Sequence, residues 1–310
     1  MSKTAAARLS RAGGGEDPEA GDRLSGAACA VAGFLIWGLS PVYWKMLGHV
    51  PVFEILSHRI FWSFVFFIPL IAISSGRRRD ILRAVKSVRI SATLLLTTLL
   101  VGCNWLIYIW AVNHDHVMET SLGYYMSPLV SVFLGVFFLK ERLRVFQIVS
   151  IALAAAGVLF LAVHHGKFPW VSLALAFTFA LYGMARKTAA VGSVPGLFIE
   201  TFLLLVPAAV WMAYVESHSG GHFLRDGAGT DLLLVGSAML TGLPLLLFTM
   251  GARRLRLSTV GFLQYLTPSC TFLLAVFIYH EPFEFARMVA FVLIWIALLI
   301  YSVDMALSNR

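Results

Sequence analysis

The chain has 310 residues, of which 59% are hydrophobic and 13% charged, with a formal net charge of +8 and a mean hydropathy of +0.83. A soluble domain carries about 25% charged residues, so a water-soluble fold of this size is excluded by lack of polar surface, and the bilayer is the expected solvent. The basic excess would suit a nucleic-acid partner only if it gathered on one face of one domain, and its distribution along the chain argues against that.

Residues 1–23, with "RAGGGEDPEAGDR", mix Gly, Ala and both charge signs and are expected to form a disordered cytosolic tail. Ten apolar runs follow, at 24–44, 52–74, 91–112, 118–139, 145–163, 169–186, 195–215, 231–251, 258–279 and 285–306. A spanning helix needs about 20 mostly apolar residues, and in lipid an unbroken apolar run satisfies its backbone as a helix. The pair 145–163 and 169–186 is the shortest and most closely spaced. The first run is too long for a signal-peptide core and should remain in the mature chain. Cys29, Cys103 and Cys270 each lie inside an apolar run and form no C-x-x-C, which reads as three reduced, buried thiols.

With the N-terminus inside, the cytosolic segments collect Lys3, Arg8, Arg11, Arg23, Arg77, Arg78, Arg79, Arg83, Lys86, Arg89, Lys140, Arg142, Arg144, Arg186, Lys187, Arg253, Arg254, Arg256 and Arg310, 19 of the 24 basic residues. Lys45, Lys167, Arg225 and Arg287 fall outside, and Arg59 falls within a span. This is a positive-inside bias. The basic charge therefore reports topology and no nucleic acid is expected.

The chain also repeats itself. "YMSPLVSVFLGVFFLKE" (125–141) matches "YLTPSCTFLLAVFIYHE" (265–281) at a constant offset of 140, pairing Tyr125 with Tyr265, Pro128 with Pro268 and Glu141 with Glu281. Weaker echoes pair "FLIWG" (34–38) with "FALYG" (179–183), and Glu54 with Glu200, each a few residues after a proline. A unit of five spans is odd, so two copies must lie in opposite orientations, the arrangement used by secondary transporters with a site near the midplane. The expected architecture is an all-α membrane protein of ten helices, as a first repeat over 24–163 and a second over 169–306.

Ionisable residues inside a span face protein or water and have a partner or a task. Glu54 lies near the outer end of the second span, with His58 and Arg59 roughly 10 Å deeper at 1.5 Å per residue. Glu54 and His58, four apart, share a face. Trp37, Asn104, Tyr108, Tyr124 and Tyr125 should reach the same outer half. Together these residues are candidates to line a water-accessible cavity for a small organic solute, with Glu54 and His58 as a candidate proton relay, since histidine titrates near neutral pH. Competing structural roles exist: Glu54 as an interfacial helix-start residue, Arg59 snorkelling or locking onto Glu54, His58 as a hydrogen-bonded packing group, and Trp44 with Lys45 as an interface anchor. In the second repeat, Gln264 and Tyr265 are candidates for the opposite cavity wall, and Tyr182 and Glu200 for an inner gate. Pro128 and Pro268 fall inside spans, where each frees a carbonyl and permits a kink.

No H-E-x-x-H, G-x-S-x-G or G-x-x-x-x-G-K-[ST] occurs, so no metal, cofactor or enzymatic chemistry is expected. His114, His116, His164, His165, His218 and His222 read as solvated loop histidines.

The blocks "FLIWGLSPVYWK", "PVFEILSHRIFWSF", "GCNWLIYIWAVN", "SLGYYMSPLVSVFLGVFFLKERL", "FALYGMARK" and "RLRLSTVGFLQYLTPSCTFLLAVF" resemble the RarD family, in the EamA-type branch of the drug/metabolite transporter superfamily. The resemblance runs from about residue 26 to 304 and departs at the ends and at 216–230. Some members carry the name chloramphenicol-sensitive protein, which describes a phenotype. The resemblance implies ten spans in two EamA repeats, both termini cytosolic, residence in the bacterial inner membrane, and export of a small metabolite or drug-like solute by alternating access. A passive facilitator or exchanger is the alternative within transport, and a membrane-embedded sensor or enzyme the alternative outside it.

Overall fold

The computed structural model describes residues 18–114, 116–166, 168–218, 220–280 and 285–308. Most of the expected tail, together with Lys167, Glu281 and Arg310, lies outside the described residues. Every regular element described is helical. In chain order these are α1 (Pro18–Met46), α2 (Val52–Ala72), α3 (Ser75–Lys86), α4 (Val88–Asn113), α5 (Val117–Phe137), α6 (Val145–His165), α7 (Trp170–Thr188), α8 (Ser193–His218), α9 (Ala228–Arg254), α10 (Leu257–Gln264), α11 (Leu266–Leu273), a π-helical turn (Leu274–Ile278) and α12 (Phe285–Ser308). Among the described residues nine helical segments are long and apolar enough to cross a membrane, with Leu257–Ile278 counted as one. The protein is thus a multi-pass membrane protein. α7 falls short of that measure because Arg186 and Lys187 occupy its last turn. It packs against α4, α5 and α9, and a helix sheathed by protein needs less apolar surface than one facing lipid.

Three differences from the sequence reading have physical causes. Residues 18–23 are helical, extending α1 into the expected tail; Pro18 stands at its first position, where a missing N–H costs nothing. The basic run Arg77-Arg78-Arg79 is not loop but part of α3, whose N-cap Ser74 accepts from Arg77 N at 3.4 Å. A search for 20-residue apolar runs does not register a 12-residue basic helix. Residues 258–279 are segmented at Tyr265, three residues before Pro268, which has no N–H to donate to the Gln264 carbonyl. α5, by contrast, runs through Pro128 without interruption.

Close approach of helices depends on small residues, as is usual where lipid supplies no hydrophobic drive between them. A Cβ on Gly251 would sit 2.8 Å from the Ala30 side chain, and one on Gly38 would sit 2.6 Å from Cys270 Cβ. α1 is thereby seated between α9 and α11, and Thr267 Oγ1 donates to the Phe34 carbonyl across the contact at 2.9 Å. The central core gathers Phe34, Phe67, Tyr182, Leu197 and Phe248 from α1, α2, α7, α8 and α9. A second core joins Tyr125, Phe262, Tyr265, Phe291 and Tyr301 from α5, α10, α12 and the α10–α11 junction.

The connections sort to two ends. At the basic end, Arg254 meets Asp22 at 2.8 Å, Arg253 donates to the Ala189 and Val191 carbonyls at 2.8 and 2.7 Å, and Arg256 donates to the Arg142 carbonyl at 3.2 Å. At the histidine end, His49 meets Thr230 at 3.2 Å, and Trp110 and Trp170 lie 5.2 Å apart.

Candidate functional site

α2 is the element on which ionisable groups enter the bundle. Its Glu54 and His58 are each 3% exposed. The Glu54 carboxylate accepts from the backbone N–H of His222 at 2.7 Å and from its Nδ1 at 2.8 Å. Glu54 is therefore clamped by the loop between α8 and α9. His222 is no free loop histidine, contrary to the sequence reading; its sequence neighbours carry no hint of a partner 168 positions earlier. His49 stands 6.3 Å from His222 ring to ring, and Asp226 Oδ2 lies 4.0 Å from both imidazoles.

The spacing of Glu54 and His58 places them on one helix face, yet no hydrogen bond joins them among the described residues. His58 Nδ1 accepts from Trp62 Nε1 at 3.3 Å, and its ring packs on Phe223 at 4.9 Å. Neither residue lines an open cavity in this state, because the 220–227 loop covers both.

Arg59 is set differently. Its Nε donates to Thr241 Oγ1 on α9 at 2.8 Å. Its guanidinium carbon lies 4.7 Å from the Trp44 ring and 5.5 Å from the Trp105 ring, on α1 and α4. The Tyr108 and Tyr124 hydroxyls lie within its electrostatic range, and their two rings are 6.2 Å apart. α1, α4, α5 and α9 thus converge on one guanidinium carried by α2. Trp44, read from sequence as an interface anchor, is one wall of this site, while Lys45 caps the Tyr279 ring at 3.1 Å. Trp105 and Thr241 were not expected here. Trp105 lies in the same turn as Tyr108 and was legible as its neighbour, whereas nothing in the sequence marks Thr241.

The remaining expected cavity residues are distributed as packing links. Asn104 donates to the Leu175 carbonyl at 3.0 Å and to Thr178 Oγ1 at 2.8 Å, tying α4 to α7. Gln264 donates to Ser127 Oγ at 2.8 Å, tying α10 to α5. Tyr125 stacks edge-on against Phe291 at 5.3 Å, and Tyr265 is fully buried with its hydroxyl unpartnered among the described residues. Trp37 joins an aromatic cluster with Phe34, Phe179 and Phe248.

Toward the basic end, Tyr182 and Glu200 do meet. The Tyr182 hydroxyl donates to Glu200 Oε2 at 3.2 Å, and Thr97 donates to Oε1 at 2.6 Å. Arg186, fully buried, faces the same carboxylate at 3.5 Å. Arg186 and Thr97 had no signal beyond lying in the right spans. Nearby, Glu141 accepts from Leu257 N at 2.6 Å and Ser258 N at 2.9 Å, a carboxylate on the exposed N–H groups that open α10.

Among the described residues no group of three or more His, Cys, Asp or Glu is placed to hold a metal ion.

A multi-pass helical bundle whose halves share motifs, with a polar and aromatic site on α2, defines a membrane protein of the solute-carrying kind. Comparison with known proteins gives the family: the EamA-like transporter family matches twice, over residues 24–163 and 169–303. The chain is 42% identical to Protein RarD of Escherichia coli over 92% of its own length and 96% of the relative's. It is 44% identical to the Uncharacterized transporter YojE of Bacillus subtilis, covering 89% and 93%, and 29% identical to the Chloramphenicol-sensitive protein RarD of Pseudomonas aeruginosa, covering 91% and 94%. One solved crystal structure, 19% identical, shares the fold with a TM-score of 0.66 over 90% of this chain and 97% of the other. The chain belongs to the EamA-like transporter family, within its RarD group.

Proposed function

We propose that this protein is a secondary transporter that moves a small metabolite or drug-like solute by alternating access, with export the direction suggested by the family. In this reading α7 is the tenth span, and the two family-matched segments are inverted five-span repeats. The observation that carries it is the exchange symmetry of the helix contacts. α1 packs on α9 and on α10–α11, and its counterpart α7 packs on α4 and α5; α2 packs on α9, and its counterpart α8 packs on α4; α2–α8, α5–α10 and α6–α12 are self-paired. Contacts that map onto one another when the halves are swapped are what two-fold related repeats produce, and an odd number of spans in each half makes those repeats inverted.

The polar clamps supply the gates. Glu54 with His222 closes the histidine end. Tyr182, Arg186 and Glu200, with Glu141 on the start of α10, close the basic end. By the positive-inside rule the basic end is cytosolic, which puts both termini there and, by family analogy, the protein in a bacterial inner membrane. Glu54, with His58 one turn deeper and His222 above it, is the proposed proton relay if a proton is the coupling ion. Releasing His222 would let Glu54 exchange its proton with the outside. The break at Tyr265 and Pro268 is the proposed flexing point of the second repeat.

The test is flux in liposomes. Labelled amino acids and antibiotics are offered with and without a pH gradient, for the native protein and for Glu54→Gln. Gradient-driven flux abolished by Glu54→Gln supports the relay. Flux that ignores both the gradient and the substitution leaves a facilitator or exchanger. No flux of any solute, from a folded protein, removes transport and favours a sensor.

A further inference from the structure

We propose that Arg59 is the anion-recognising group of the solute site, and that the solute is a small organic carboxylate with an aromatic or apolar body. The inference rests on the transporter reading above and names its substrate class.

Two arginines are drawn deep into this bundle, and the protein treats them differently. Arg186 meets a carboxylate, Glu200, at 3.5 Å. Arg59 meets none among the described residues: its one carboxylate neighbour on α2, Glu54, is fully engaged by His222 through both oxygens. The groups that do hold Arg59 fix its plane without neutralising it. Trp44 and Trp105 flank the guanidinium at 4.7 and 5.5 Å, and Thr241 takes the proton of Nε. Cation–π contacts are weaker than the attraction an opposite charge supplies in a low-dielectric site. The two terminal amino groups have no protein acceptor among the described residues. They form the rigid two-pronged edge that matches the two oxygens of a carboxylate.

Two phenols stand near the same guanidinium. The Tyr108 and Tyr124 hydroxyls lie within electrostatic range of the guanidinium, and neither bonds a protein acceptor among the described residues. Tyr124 is 46% exposed. That exposure is not toward lipid on the side of Phe133 and Phe137. Phe133 follows nine residues later, two and a half helical turns on, and so projects from the opposite face of α5. Thr120, Ser127 and Pro128, neighbours of Tyr124 on the same face of α5, are buried, so the open surface of Tyr124 lies on a face that other helices cover. One guanidinium with two phenolic hydroxyls suits a single negative charge. A doubly charged phosphate would call for a second cation, and Lys45 is engaged on Tyr279. Four aromatic side chains, Trp44, Trp105, Tyr108 and Tyr124, surround the charge and favour a flat, apolar body behind it.

The experiment is equilibrium binding to the full-length protein in nanodiscs, read by quenching of tryptophan fluorescence and independently by thermal shift. Three matched probes are used: phenylacetate, phenylacetamide and phenyl phosphate. The acetate is expected to bind at least about tenfold more tightly than the neutral amide, as charge-assisted bidentate pairing requires. Arg59→Gln should erase that difference, and Arg59→Lys should retain only part of it. Because Arg59→Gln could fold poorly, Tyr124→Phe provides a milder check: it should weaken the acetate severalfold and leave the amide unchanged. Equal binding of acetate and amide, unchanged acetate affinity in both Arg59→Gln and Tyr124→Phe, preference for phenyl phosphate, or no binding of any probe at millimolar concentration would each overturn the proposal. Flux of neutral solutes in the liposome assay alongside any of those results would remove the carboxylate inference and leave the transporter reading standing. Carboxylate binding without flux would do the reverse.

Discussion

The buried pair of Arg186 and Glu200 gives the sharpest energetic prediction. Arg186 is 0% and Glu200 2% exposed, so water screens neither. The guanidinium has few other partners: Gly192 O at 3.4 Å and Ser193 O at 3.2 Å, with Nε unbonded among the described residues. Glu200→Gln keeps the side-chain volume and an oxygen for Thr97, but strands the Arg186 charge. Breaking a buried pair from one side costs about 3–5 kcal/mol, and the weakness of the remaining acceptors places this variant in the upper part of that range. Arg186→Met leaves the carboxylate with its Thr97 and Tyr182 donors, so its cost should fall nearer about 3 kcal/mol. The double variant carries no uncompensated charge and should be more stable than either single one. The interaction energy should have the sign opposite to the single-variant costs and exceed the larger of them in size, about 4–5 kcal/mol. Unfolding by SDS titration in mixed micelles, followed by tryptophan fluorescence, measures all three. Single variants within about 0.5 kcal/mol of the native protein, or additive costs in the double variant, would refute the reasoning.

Other expectations are equally concrete. His222→Ala removes the ring donor to Glu54 but not the backbone one, and should raise hydrogen exchange in the 220–227 loop by about tenfold, reflecting the roughly 1.5–3 kcal/mol of a charge-assisted bond less what the backbone retains; unchanged protection would show that the clamp does not hold the loop. Gly251→Leu drives a side chain into Ala30 and should destabilise by about 1–3 kcal/mol or more, while Gly229→Leu, with open space around it, should change stability by no more than about 0.5 kcal/mol. Pro268→Ala restores an N–H for the Gln264 carbonyl and should slow turnover in the flux assay while raising the SDS midpoint; faster turnover would argue against Tyr265 as a flexing point. A cysteine placed at Ser217 should react with a membrane-impermeant maleimide in intact cells and one at Ser75 only after the cells are opened; reaction of Ser75→Cys in intact cells would overturn the assigned orientation.

Legibility differed by the kind of interaction involved. The helices were readable because each apolar run is a local property of consecutive residues. Nine of the ten expected runs meet the length and apolarity of a span, and α7 misses because two charges close it. The basic helix α3 was missed because its stability comes from Ser74 capping and from Ala84 packing against Leu94, Ala189 and Val191, not from continuous hydropathy. Arg59, Tyr108 and Tyr124, which the sequence places at similar depth, lie near one another in the structure. Depth could not separate them from Asn104 and Tyr125, which sit at similar heights but point at neighbouring helices. Periodicity paired Glu54 with His58, since i and i+4 share a face, whereas the carboxylate found its donors in a loop far along the chain.

The sequence by itself determined that this is a membrane protein of helices, made of two related halves, with its positive charge biased to one set of loops. Those are properties of composition and order, written residue by residue. Only the tertiary structure decided which ionisable groups answer one another: Glu200 with Arg186, Glu54 with His222, and Arg59 with aromatic rings and, among the described residues, no carboxylate. Hydrogen bonds and ion pairs act over a few ångströms between side chains that chain order leaves far apart, so their partners exist only once the helices are packed.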